Sequence, residues 1–163
     1  MHPFFSVIIP CYNSSNLMQR CLASLEKQIF ADFEVIFIDD CSTDNTYDFL
    51  RTFCEQTKLN THLIRMEKNG GPGKAREAGV LAAKGAYVTF MDSDDWYEKC
   101  FLENIYQKLS TDDYDMIFFD FYPLFFSPQI TRLLHTTNLK GKMHCLSRQC
   151  ILNIAAGCHF TDP

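Results

Sequence analysis

The feature that most constrains this chain is a change of hydrophobic period that repeats along it. Phe5-Ser-Val-Ile-Ile-Pro10 is a short apolar, β-branched run closed by proline, which reads as a buried strand. Beyond it the spacing turns helical. Leu17, Cys21, Leu22 and Leu25 share a face, with Asn13-Ser14-Ser15 as candidate caps and an end near Gln28. Phe33-Glu-Val-Ile-Phe-Ile38 is a second buried run, broken by Asp39-Asp40; Ser42-Thr43-Asp44 then offers caps to a helix with Phe49, Leu50, Phe53 and Cys54 on one face. A third strand is predicted from Thr61 to Met66. The turn-rich Lys68-Asn-Gly-Gly-Pro-Gly73 comes next and feeds a helix from Lys74 to Ala83. Its Ala75, Ala78, Gly79 and Ala82 make a small face suited to close packing on a sheet. Ala86-Tyr-Val-Thr-Phe-Met91 is a fourth strand stopping at Asp92-Ser-Asp-Asp95, followed by a helix around Lys99 to Leu109 and a fifth strand from Asp115 to Phe121. Strands alternating with helices imply βαβ units, hence an α/β fold: a mostly parallel sheet flanked by helices.

Past Pro123 the pattern is less regular, with a loop at Leu139 to Lys142 and a helix at Leu146 to Ala156, and no closing strand precedes Pro163. The chain is therefore expected to be an N-terminal piece of a longer protein, truncated at its C-terminus. With 47% hydrophobic and 21% charged residues it has the makings of a real core. Its net charge of −5 and pI near 5.4 suit a polyanion poorly, so no nucleic acid partner is expected. No basic segment followed by an apolar stretch and a cleavage site marks secretion. The eight cysteines are scattered rather than arranged as a framework, so they are read as reduced thiols of a cytoplasmic protein. His144-Cys145, Cys150 and Cys158-His159 match no zinc-ligand spacing. The longest apolar stretch, Met116 to Phe126, is interrupted by Asp120 and Pro123 and is about half the roughly 20 residues of a membrane span. Peripheral association of the full-length protein with the inner face of the membrane stays compatible with that.

In open parallel sheets ligands sit outside the carboxyl ends of the strands. The residues there are polar: Pro10-Cys-Tyr-Asn13, Asp39-Asp40, Asn69-Gly70-Gly71 and Asp92-Ser-Asp94-Asp95. Asp92 and Asp94 are two apart, so on a chain leaving a strand they point the same way and are placed to share a divalent cation. Oxygen ligands suit Mg²⁺ or Mn²⁺ rather than zinc. Alone, Asp-Ser-Asp-Asp would read as a polar turn; next to a second acidic pair on the same rim, its repulsion calls for a counter-cation. Tyr12 is either core or a ring that stacks on a base while a carboxylate accepts from the base N–H. Lys74 and Arg76, after a glycine-rich loop, are either solvated or placed to neutralise phosphate.

Val7-Ile-Ile-Pro-Cys-Tyr-Asn13, Phe33 through Thr46, Asn69-Gly-Gly through Ala75-Arg76 and Gly79, and Gly85 through Trp96 together resemble the family 2 inverting glycosyltransferases of the GT-A (Rossmann-like) fold. The match runs in unbroken order over roughly residues 5 to 100. The resemblance implies a nucleoside-diphosphate-sugar donor, UDP-sugar being the first to test, with Tyr12 and Asp40 at the base, Asp92 towards the ribose, Arg76 near the donor and Pro10 among the donor-binding residues. It implies Asp94 as the metal ligand of a DxD motif, with Mn²⁺ or Mg²⁺ as cofactor. It also implies a glycan or lipid-linked acceptor, with surface polysaccharide biosynthesis as the setting. Residues 1–122 would form the nucleotide-sugar-binding domain and 123–163 the start of an acceptor-side region. The sequence departs from the family in Cys41, where glycine is common, and in Pro72-Gly73-Lys74 and Glu77. The family's catalytic base is expected beyond Pro163, so no residue here is assigned that role. The mechanism implied is a single in-line displacement at the anomeric carbon.

Three other readings compete with this one. A receiver-type phosphoacceptor domain needs an acidic pair after strand one, where this chain has Pro10-Cys11-Tyr12-Asn13. A nucleotidyltransferase needs a glycine-rich basic loop in the same place. A non-catalytic nucleotide-sugar-binding module would differ only in the chain beyond residue 163.

Overall fold

A computed structural model describes residues 2–111 and Ile117. Eight elements alternate: β1 (Phe5–Cys11), α1 (Gln19–Glu26), β2 (Phe33–Asp39), α2 (Thr46–Gln56), β3 (Asn60–Arg65), α3 (Gly71–Ala82), β4 (Tyr87–Phe90) and α4 (Phe101–Thr111). The four strands form one sheet in the order β3-β2-β1-β4. Every pairing is parallel, with Phe5 opposite both Phe33 and Tyr87, and Cys11 opposite Asp39. The α/β expectation therefore holds. The expected strand at Asp115–Phe121, the loop at Leu139–Lys142, the helix at Leu146–Ala156 and the boundary at residue 122 lie outside the described residues.

The two faces of the sheet carry separate cores. Val7, Ile9 and Cys11 of β1 and Val35 and Phe37 of β2 pack with Cys21, Leu22 and Leu25 of α1, Leu50 of α2 and Leu102 of α4. On the other face Ile8, Ile36 and Ile38 meet Ala75 and Val80 of α3. Alternate residues of one strand thus serve opposite layers, so β1 and β2 read as continuous apolar runs. Helix α3 lies close to the sheet because Gly79 has no Cβ; one added there would fall inside the Ile8 side chain. Each fully buried Ile or Phe contributes about 1.5–3 kcal/mol, and these two strands hold most of the fully buried large side chains.

Two local expectations are corrected. Helix α1 starts at Gln19, its N-cap is Met18, and no side chain caps it; Leu17 is exposed. Asn13, Ser14 and Ser15 instead tie the loop after β1 to the loop after β2. Asn13 Oδ1 accepts from the Thr43 N–H at 2.8 Å, and Thr46 Oγ1 accepts from the N–H groups of Ser14 and Ser15 at 2.8 and 3.0 Å. Helix α3 starts at Gly71, three residues before Lys74, with Pro72 in its first turn, where a missing N–H costs nothing.

Candidate active site at the carboxyl rim of the sheet

The chain leaves β2 through Asp39 and Asp40, both buried, and the two carboxylates turn to different tasks. Asp39 Oδ2 meets Arg65 Nε of β3 at 3.3 Å, and Arg65 also stacks on Tyr47 at 4.7 Å. Asp40 accepts from the N–H groups of Gly70 at 2.8 Å and Gly71 at 2.7 Å, one on each oxygen. Gly70 is the N-cap of α3 and has no side chain to cap with. Asp40 therefore caps α3 from another loop, adding a negative charge at the positive end of the helix. Of the cap candidates Ser42, Thr43 and Asp44, it is Asp44 that serves α2, its Oδ1 taking the Thr46 N–H at 2.9 Å. Between Asp40 and Ser42, Cys41 sits at φ 59°, a left-handed conformation that costs an L side chain and little for glycine. That backbone accounts for the family's preference for glycine there.

Beyond β4 the turn carrying Asp92, Ser93, Asp94 and Asp95 is closed by the Asp95 N–H on the Asp92 carbonyl at 3.1 Å. Arg76 of α3 reaches across to Asp92 at 2.6 Å. Lys74 does not join it; its ammonium is paired with Glu77 at 2.6 Å in the open, an exposed contact worth little. Burial raises the Asp95 carboxyl above its ordinary value, and the charges of Asp94 and Asp92 add to the shift.

These loops enclose a cavity of about 400 Å³. Its lining contains Pro10, Tyr12, Asp40, Arg76, Asp92 and Asp94, so the six residues singled out in the sequence come together on one rim. Cys11, Asn69, Gly71, Pro72, Ala75 and Ser93 complete it. Sequence reasoning does not reach Pro72 and Ala75 as site residues; they carry no distinctive chemistry and enter because they lie in the first turns of α3. Tyr12 lines the cavity and is 49% exposed. Three carboxylates against one guanidinium leave the lining negative.

That excess fits a divalent cation whose remaining ligands come from a phosphate-bearing ligand and water, the usual arrangement for Mg²⁺. Among the described residues no group of three or more His, Cys, Asp or Glu is placed to hold a metal ion by itself. The thiols are poor candidates for chemistry: burial pushes Cys21 up to about 12 and Cys11 well above its ordinary value, so both stay protonated and inert. The five described cysteines are free.

The match to known proteins agrees with this arrangement. Over 98 residues, 58% of this chain, it is 45% identical to the poly(ribitol-phosphate) beta-N-acetylglucosaminyltransferase TarS of Staphylococcus aureus. It is 32% identical over 122 residues, 75% of the chain, to the glycosyltransferase GlyG of Streptococcus pneumoniae. The chain spans 17% and 40% of those two proteins respectively. In structure it is similar to S. aureus TarS residues 1–349 in complex with UDP-GlcNAc, at a TM-score of 0.62 and 41% identity over 66% of this chain and 31% of that one. The mannosyltransferase PcManGT of Pyrobaculum calidifontis, solved with GDP-Man and Mn²⁺, aligns at a TM-score of 0.62 and 26% identity over 68% of this chain and 33% of that one. A family model, glycosyl transferase family 2, matches residues 6–159, and with four parallel strands in a GT-A-like arrangement the chain belongs to that family.

Proposed function

We propose that this chain is the donor-binding part of an inverting, metal-dependent glycosyltransferase that moves a sugar from a UDP-sugar to a glycan or lipid-linked acceptor in surface polysaccharide biosynthesis. The observation that carries the reading is the convergence of Pro10, Tyr12, Asp40, Arg76, Asp92 and Asp94 on one acid-rich cavity at the carboxyl rim. Tyr12 stacks on the base. Asp40, with two lone pairs still open beyond its bonds to Gly70 and Gly71, accepts from the base N–H. Asp92 receives the ribose hydroxyls, Arg76 leans on the diphosphate, and Asp94 holds Mn²⁺ or Mg²⁺. When bound, the cation stabilises the departing diphosphate. Residues 1–122 form the donor half and 123–163 begin the acceptor side. The setting is the cytoplasm, at the inner face of the membrane where the acceptor is lipid-linked. Among the described residues no helix is long and apolar enough to cross a membrane.

Calorimetry of UDP binding in Mg²⁺ or Mn²⁺, and again after chelation, tests this. Binding should depend on the cation, because two to three phosphate charges would otherwise meet Asp92 and Asp94 unscreened. Equal affinity after chelation, or no affinity for UDP, overturns the reading.

A further inference from the structure

We propose that Trp96 and Arg20 form a binding platform, beside the donor cavity, for an acceptor unit that joins a sugar or polyol to a phosphate. The proposal rests on the donor-site reading above. Trp96 is the only tryptophan in the chain, and it is 37% exposed. It stays outside because its neighbours are fixed. On one side the Asp95 N–H closes the acidic turn on Asp92. On the other, the Tyr97 N–H donates to Ser24 Oγ at 3.2 Å, and the buried Tyr97 hydroxyl bonds the Phe90 carbonyl at 3.1 Å and lies 3.0 Å from Thr89 Oγ1. Tyr97 thus occupies the core position, and the indole is presented to solvent on a rigid turn.

Arg20 of α1 lies over that indole, its guanidinium carbon 5.4 Å from the ring centroid. Among the described residues no carboxylate forms an ion pair with it, although α1 faces the acidic turn: the charges of Asp95 and Asp94 both act on Cys21, its neighbour. The ring and the cation together offer an apolar face for C–H bonds and a planar fork for phosphate oxygens. Neither residue lines the donor cavity. Yet Trp96 is two residues from Asp94, within about 7 Å along the chain. In a chain of net charge −5, an unpaired arginine there is what an anionic acceptor would need.

The lone tryptophan supplies the readout. Indole emission is followed while ribitol 5-phosphate is titrated into the chain with Mg²⁺, both with and without saturating UDP, and ribitol and inorganic phosphate are titrated separately. A saturable change with ribitol 5-phosphate is expected, with ribitol and inorganic phosphate each at least about tenfold weaker. Arg20→Ala should weaken ribitol 5-phosphate about tenfold while leaving calorimetric UDP affinity unchanged, and Trp96→Phe should weaken it when binding is read by calorimetry. No saturable change, an equal response to inorganic phosphate, or an unaltered Arg20→Ala overturns the platform. Failure of the wild-type chain to bind UDP is a separate result and strikes the donor-site reading instead.

Discussion

At the amino ends of the strands one carboxylate, Glu34 of β2, is buried and takes two hydrogen bonds on one oxygen. Ser6 Oγ donates to it at 2.6 Å, the Lys84 N–H at 2.7 Å, and His62 Nε2 lies 3.2 Å from its other oxygen. Burial alone would raise its pKa, but the Ser6 and Lys84 hydrogen bonds and the charges of His62 and Lys84 hold it below the ordinary range. At the carboxyl ends, Asp92, Asp94 and Asp95 crowd one turn, Arg76 answers only Asp92, and Asp95 is shifted the other way. The amino rim has converted its acid into a clamp joining β1, β2, β3 and the entry to β4. The carboxyl rim has kept charge in excess, which costs stability and leaves something for a ligand to neutralise.

The largest expected effect lies at the clamp. Glu34→Ala leaves the Ser6 hydroxyl and the Lys84 N–H without their acceptor and His62 without its ion-pair partner, and leaving those two donors unsatisfied costs about 3 kcal/mol. Urea denaturation should show that loss, while UDP affinity of the remaining folded protein stays within about twofold. A variant as stable as wild type would remove the distinction between the rims. Asp94→Asn should do the reverse: little change in the urea midpoint, and roughly 100-fold weaker UDP binding in Mg²⁺, about 2.7 kcal/mol. Calorimetry decides it, and unchanged metal-dependent binding would show that Asp94 is not the ligand.

Asp40 sharpens the comparison because it lies on the ligand rim yet accepts from two backbone N–H groups, where Glu34 accepts from one and from a serine hydroxyl. In Asp40→Asn the amide NH₂ must face one of the Gly70 and Gly71 N–H groups, so one bond becomes a donor–donor contact. A loss of about 1–2 kcal/mol in stability should accompany roughly tenfold weaker UDP binding, with the cation requirement intact. Weaker binding with no loss of stability would mean that the cap on α3 contributes nothing.

The parts of the fold that a single stretch of chain determines are legible in the sequence. Strands β1 and β2, buried on both faces, announce themselves as apolar runs, and the predicted spans end within one residue of the observed ones. The rim comes from the strand-end rule, which points to Pro10, Tyr12, Asp40, Asp92 and Asp94, and the family resemblance adds Arg76; all six line the cavity. The illegible parts depend on partners far along the chain. The start of α3 is set by Asp40, thirty positions before Gly70, and a glycine N-cap with no side chain is the one available hint. Asn13, Ser14 and Ser15 carry the residue types of a cap, but their partners lie on the loop after β2 and on the first residue of α2. Glu34 escapes a sequence reading because one acid inside Phe33-Glu-Val-Ile-Phe-Ile38 looks like an exposed face; its burial depends on Ser6 and Lys84.

The smallest effect is the most direct comparison of the two rims, because the shifts have opposite signs with pH. Glu34 ionises at lower pH folded than unfolded, where a glutamate titrates at about 4.3. Its contribution is therefore fully present above that value and is lost as pH falls through the lower, folded value. Asp95 ionises at higher pH folded than unfolded, so its charge opposes folding at neutral pH, and that penalty disappears as the pH falls below about 3.9. Unfolding free energies of Glu34→Gln and Asp95→Asn, each subtracted from wild type across pH 3 to 7, isolate the two groups from the other carboxylates. The Glu34→Gln deficit should be greatest at neutral pH and shrink in acid. The Asp95→Asn variant should be the more stable protein at neutral pH, by well under the Glu34 effect, and lose that advantage in acid. Adding Mg²⁺ with UDP should shrink the Asp95→Asn advantage at neutral pH, since a cation in the turn answers the same repulsion, and should leave the Glu34→Gln curve where it was. Two difference curves sloping the same way would mean that the carboxyl rim holds no excess charge for a ligand to relieve.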